Sequence, residues 1–126
     1  MINILVVDDS ALARKRIIET LANFEIRYTI VGEASDGEEA IESFKKLQPN
    51  LVITDIEMPK MNGVELVQEI RKIDKDVNII VISSISNAQV QQTLKSDKFL
   101  YCVKKPIKSE LLSTTLHRVE NFLKDK

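Results

Sequence analysis

Cysteine and histidine are nearly missing from this 126-residue chain, which has one of each, Cys102 and His117. A single cysteine excludes an internal disulfide framework and a thiolate zinc cage. A single histidine leaves a histidine-rich metal site or a Ser-His-Asp triad without its parts. An excess of either charge is also lacking: 18 Lys and Arg stand against 19 Asp and Glu, a formal net charge of −1. No broad field therefore draws nucleic acid to the surface, and no direct nucleic-acid partner is expected. No apolar run approaches the roughly 20 residues that span a bilayer. The opening, Met1 to Ser10, has acidic flanks where a signal peptide would have a basic start and a long apolar core. The chain reads as soluble and cytoplasmic, without membrane insertion, and its length suits one compact domain with a real core.

What is present is an alternation of two kinds of apolar segment. Ile4-Leu5-Val6-Val7, Leu51-Val52-Ile53 and Ile79-Ile80-Val81-Ile82 are short, continuous and rich in β-branched residues, as strands covered on both faces require. Tyr28 to Val31 and Phe99 to Val103 are weaker strands, expected nearer the sheet edges. Between them lie helical stripes: Ile17, Leu21 and Phe24; Ala40, Ile41 and Phe44; Leu66, Val67, Ile70 and Ile73; Leu112, Leu116, Val119 and Leu123. Asp36 with Glu39 and Asn62 with Glu65 read as capping boxes. The stretch Asn87 to Lys95 offers only Val90 and Leu94, so its helix should be the least firmly packed. Five strands alternating with five helices predict a doubly wound parallel α/β sheet with helices on both faces.

The polar residues fall at the ends of these strands. Asp8 and Asp9 follow the first, Asp55 follows the third, Ser83 the fourth, and Lys104-Lys105 ends the fifth. In a parallel sheet all of these lie outside the carboxyl ends of the strands, where such folds bind ligands. Three carboxylates in one cleft repel one another, and an all-oxygen set suits Mg²⁺ or Mn²⁺. A cation, a lysine and a hydroxyl together make a receptor for a phosphoryl group. A carboxylate is itself able to be the nucleophile, forming an acyl phosphate; Asp55, alone on the central strand, is the candidate. Taken singly, each feature has a plainer use. Asp9 or Ser10 would serve as a helix N-cap, Asp55 as a strand-end turn residue, Ser83 as a structural hydroxyl and Lys105 as a solvated lysine. Their order along successive buried strands favours the functional reading.

Leu5-Val6-Val7-Asp8-Asp9-Ser10, Thr54-Asp55-Ile56-Glu57-Met58-Pro59 with Met61-Asn62-Gly63, and Lys105-Pro106 resemble the response-regulator receiver domains of the CheY-like superfamily. The resemblance covers essentially residues 1–126, including Gly32-Glu33-Ala34 and Asp36-Gly37. It implies a flavodoxin-like (βα)5 fold, a three-layer α/β/α sandwich with strand order 2-1-3-4-5. By the same resemblance, Asp55 would accept a phosphoryl group from a sensor histidine kinase or a histidine phosphotransfer protein. Asp8, Asp9, Asp55 and the backbone carbonyl of Glu57 would hold Mg²⁺. Lys105 would contact the phosphoryl oxygens, with a cis bond to Pro106, and Ser83 would move toward them. The output surface would be the fourth helix, fifth strand and fifth helix, presented to another protein by a monomer or an activation-dependent dimer.

Only one of Lys104 and Lys105 enters the cleft, because they alternate across a strand; Pro106 and the family's spacing from Ser83 favour Lys105. The family's switch aromatic, three residues before the lysine, is replaced here by Cys102, with Tyr101 one position earlier and facing the other way. Ser96-Asp97-Lys98-Phe99 lacks the usual Gly-Ala turn. Glu57 and Ile85 flank the cleft at positions that tune phosphoryl lifetime in the family. Cys102 reads as a small buried hydrophobe, and His117 as a solvated or packing residue. The chemotaxis-like opening of the first helix, Ser10 to Arg14, points modestly to motility control. Rival readings are a receiver-like docking module that is not phosphorylated, a receiver excised from a larger regulator, and a Mg²⁺-dependent phosphatase of the haloacid dehalogenase type. The last expects an Asp-x-Asp pattern that Asp9 and Ala11 do not supply. Neither receiver reading is an enzyme in the turnover sense.

Overall fold

The computed structural model describes residues 1–84 and 88–124. Ile85 and Asn87, and the side chain of Leu94, lie outside the described residues. The elements run β1 (Ile2–Val7), α1 (Ala11–Leu21), β2 (Tyr28–Ala34), α2 (Gly37–Leu47), β3 (Leu51–Asp55), α3 (Gly63–Ile73), β4 (Asn78–Ser83), α4 (Ala88–Ser96), β5 (Leu100–Lys104) and α5 (Ser109–Lys124). The five strands form one parallel sheet in the order β2-β1-β3-β4-β5. The two weaker apolar segments are indeed its edges: no side chain from Tyr28 to Val31 is fully buried, whereas in β5 Leu100 and Val103 are. In contrast β3 and β4 are buried at every position.

Alternation along each strand divides the core into two layers. Leu5, Val7, Val52, Ile79 and Val81 face α2, α3 and α4 through Ala40, Phe44, Leu66, Val67, Ile70 and Val90. Ile4, Val6, Ile53, Ile80, Ile82 and Val103 face α1 and α5 through Ile17, Leu21, Leu112, Leu116 and Val119. Burying both faces is what the unbroken β-branched runs encode. The result is the expected three-layer α/β/α sandwich.

Local signals set the helix ends with three corrections. Asn62 and Glu65 form a complete capping box at α3. Asp36 caps α2 by accepting from the Glu39 N–H at 2.8 Å, but the Glu39 carboxylate accepts from the Ser35 hydroxyl instead of returning to the cap. The nearer hydroxyl wins, so this box is half made. Phe24 lies beyond α1, in a turn closed by its N–H on the Leu21 carbonyl, and still packs on the α1–α5 layer. Ile73, the last residue of α3, is 45% exposed, because α3 ends there as the chain turns back toward β4. Among the described side chains of α4, Val90 alone is buried.

Candidate functional site

The carboxyl ends of β1, β3, β4 and β5 bring the polar residues together. Parallel pairing sets Val7 beside Thr54, Asp55 beside Ile82, and Ser83 beside Lys104. Two main-chain bonds continue the ladder past the strands: Ile56 N–H to the Ile82 carbonyl at 3.0 Å, and Lys105 N–H to the Ser83 carbonyl at 2.8 Å. Asp8, Asp55 and Ser83 are only 2%, 3% and 2% exposed, whereas Asp9 is exposed. Ser10 is the N-cap of α1, its hydroxyl accepting from Ala13 N–H, while Ser10 N–H donates to Asp8 Oδ1 at 2.9 Å. The turn after β1 thereby fixes one carboxylate and starts a helix in the same four residues.

Oxygens of Asp8, Asp9 and Asp55 all lie within 4.8 Å of one another. Burial, the largest cause, raises the Asp8 carboxyl above its ordinary range, the neighbouring Asp9 adding to it against the Ser10 N–H and Lys105. Burial likewise lifts Asp55 to about 6, with Glu57 and Asp8 adding to the effect and Lys105 opposing it. Such a set, all oxygen and strained by its own charge, fits a hard divalent cation.

Lys105 Nζ donates to Asp55 Oδ1 at 3.0 Å and lies 3.6 Å from Glu57 Oε2. Burial works against its charge, but the hydrogen bond and the carboxylates around it outweigh that and raise its pKa. Lys104, on the opposite side of the strand end, is exposed. The Lys105–Pro106 peptide is cis. Tyr101 and Cys102 face opposite layers: Tyr101 lies with the α1–α5 layer, its hydroxyl donating to Asn78 Oδ1 at 3.3 Å, and Cys102 lies against the α2–α3–α4 layer. Burial raises the Cys102 thiol pKa, which makes it less thiolate-like. His117 sits exposed on α5 with Nδ1 near the Ser113 carbonyl, far in sequence and role from the cluster.

Three participants were not singled out in the sequence. Arg14, one turn into α1, donates to the Asp8 carbonyl and to Glu33 Oε1 at 2.6 and 3.0 Å, tying β1, α1 and β2 together. Its position four residues after the cap Ser10 was the available signal. Ser84 places both its N–H and its hydroxyl on Glu57 Oε1, at 3.2 and 3.1 Å. Gly63 donates its N–H to the Ile56 carbonyl at 2.9 Å, and a Cβ there would stand 2.5 Å from the Asp55 carbonyl oxygen. Glycine at this point is what lets α3 start against the end of β3. Glu57 itself gathers donors. Burial would raise its pKa, but hydrogen bonding with Asp55, the Ser84 N–H and the Ser83 and Ser84 hydroxyls holds it at about 2.

The family of response regulator receiver domains matches residues 4–117. The chain is 36% identical over 117 residues to the chemotaxis protein CheY of Thermotoga maritima, covering 92% of this chain and 95% of that protein. It is 41% identical over 93 residues to a protein-glutamate methylesterase/protein-glutamine glutaminase of Syntrophomonas wolfei, which is 74% of this chain but 26% of that longer protein. Among solved structures, chemotaxis protein CheY4 of Vibrio cholerae is 30% identical with a TM-score of 0.79, over 94% of this chain and 98% of that one. A chain of the CheX–CheY–BeF3–Mg²⁺ complex from Borrelia burgdorferi is 29% identical with a TM-score of 0.80, over 94% and 88%. A likeness that runs from the first strand into the last helix, on this same strand order, leaves one conclusion: the chain belongs to the family of response regulator receiver domains.

Proposed function

We propose that this CheY-like receiver is a phosphorylation-controlled switch in which Asp55 is the phosphoacceptor. The observation that carries the reading is a buried carboxylate at the end of the central strand, 3.0 Å from the Lys105 ammonium and beside two further carboxylates. An Asp55 carboxylate oxygen attacks the phosphorus of a phosphohistidine on a sensor kinase or histidine phosphotransfer protein. A P–O bond forms, the P–N bond breaks, and its electron pair stays on the donor's imidazole nitrogen. Magnesium held by Asp8, Asp9, Asp55 and the Glu57 backbone carbonyl would supply positive charge to the phosphoryl oxygens. Lys105 orients its ammonium on the same oxygens, and the Ser83 hydroxyl donates to them. Water later hydrolyses the acyl phosphate, so the protein is a switch that resets and not an enzyme turning over a free substrate.

The output is contact with another protein through α4, β5 and α5. The CheY relative and the methylesterase relatives favour a chemotaxis pathway, and the Borrelia complex shows a CheY relative engaged with a protein partner. Intact mass after incubation with acetyl phosphate, with and without Mg²⁺, tests the reading. One Mg²⁺-dependent phosphoryl adduct is expected in the wild type and none in Asp55→Asn. No adduct from acetyl phosphate or from a phosphohistidine donor would leave a docking module, and steady turnover of a phosphomonoester would indicate a phosphatase.

A further inference from the structure

An anion is already seated where β4 and β5 end, and it belongs to the protein. Glu57 Oε1 accepts from Ser83 Oγ at 3.1 Å, from Ser84 N–H at 3.2 Å and from Ser84 Oγ at 3.1 Å. Its Oε2 lies 3.6 Å from Lys105 Nζ. Lys105 in turn reaches Asp55 Oδ1 at 3.0 Å, and Glu57 N–H lies 3.3 Å from that same oxygen. The donors around the Glu57 carboxylate are therefore those that oxygens carried on Asp55 would require: a hydroxyl, a backbone N–H and an ammonium converging on one space.

We propose that Glu57 is the resting occupant of this anion cradle and must be displaced before an oxyanion on Asp55 engages Ser83, Ser84 and Lys105. The inference rests on Asp55 being the acceptor and adds a competitor internal to the chain. The geometry suits an exchange. The Glu57 side chain is 37% exposed, so it has a path into water, whereas Ser83 is buried and stays at the strand end. A carboxylate brings two oxygens and one negative charge. A phosphoryl group brings three oxygens and more charge, so it outcompetes Glu57 for the same donors while its binding is weakened by the contacts that Glu57 gives up. Anion capture is thereby tied to Glu57 letting go of the Ser83–Ser84 end of β4.

The test is titration with beryllium fluoride at saturating Mg²⁺, followed by ¹⁹F and ¹H–¹⁵N NMR, for wild type, Glu57→Gln and Glu57→Asp. The aspartate keeps the charge and shortens the reach by one methylene, which separates occupancy from charge alone. Both variants are expected to bind the fluoride adduct about ten-fold more tightly than wild type, the factor that matches one lost hydrogen bond to a charged group. The Ser84 amide resonance of the anion-free protein should move in both. Affinities within about twofold of wild type overturn the proposal, and so does tighter binding by Glu57→Gln alone, which would make the effect one of net charge. Absence of any adduct in wild type and variants is a different failure: it removes the phosphoacceptor reading, and this inference with it.

Discussion

Asp55 carries a cost that is visible in its pKa and makes a pH prediction. Its carboxyl is lifted to about 6 in the fold, above the ordinary value, so the folded chain holds that proton more tightly than the unfolded chain does. The stability this contributes is present below the unfolded pKa and lost as pH rises through about 6. Metal-free wild type should therefore lose about 1 kcal/mol between pH 5 and pH 8 that Asp55→Asn does not lose, read from urea unfolding at the two pH values. Equal pH slopes in the two proteins would show that the carboxylate is not under strain. Gly63 supports the same residue from behind. Gly63→Ala drives a Cβ against the Asp55 carbonyl and the Ile56 backbone, which should cost about 2 kcal/mol and weaken Mn²⁺ binding measured by EPR. The strand-end carboxylates were legible in the sequence because they close apolar runs, Asp8 directly and Asp55 with only Thr54 between. Gly63 was quoted there as part of a motif, but its close approach to β3 depends on how a loop folds back, and no local pattern records that.

At the level of elements, the turn between α4 and β5 shows how one device replaces another. Asp97 accepts from Phe99 N–H at 3.0 Å and pairs with Arg71 through Nε and Nη2 at 2.8 and 3.1 Å, while Arg71 Nη1 reaches the Asp74 and Val77 carbonyls. One guanidinium thus ties the end of α3 to the starts of β4 and β5, where the family's usual turn is missing. Arg71→Ala or Asp97→Ala should each cost about 2 kcal/mol, and the double variant should cost clearly less than the sum, in a chemical-denaturation cycle. Additive costs would mean the two side chains act independently. The strands could be read from their continuous apolar runs and the helices, apart from their ends, from periodicity. This ion pair could not, because its partners stand 26 residues apart, and the half-made box at Asp36 could not, because Ser35 and the cap compete for one carboxylate.

For the molecule as a whole, the two packed layers predict a gradient of local stability. β1, β3 and β4 are buried on both faces, so their amides should exchange with solvent only on global unfolding. Those of α4 should exchange earliest among the helices in a native-state hydrogen-exchange series. Protection of α4 equal to that of α3 would refute the gradient. The doubly wound pattern could be read directly from the alternation of segments, whereas the strand order rested on family resemblance until the pairing was seen. That order has a consequence for how the chain comes off the ribosome. β1 and β3 carry Asp8 and Asp55 into adjacent places, but the cation that reaches Asp55, Lys105, arrives directly after the last strand to be synthesised. Until β5 docks, a nascent chain already paired through β3 holds these carboxylates without the lysine that reaches Asp55. Closing the sheet and setting Lys105 on Asp55 are then one event.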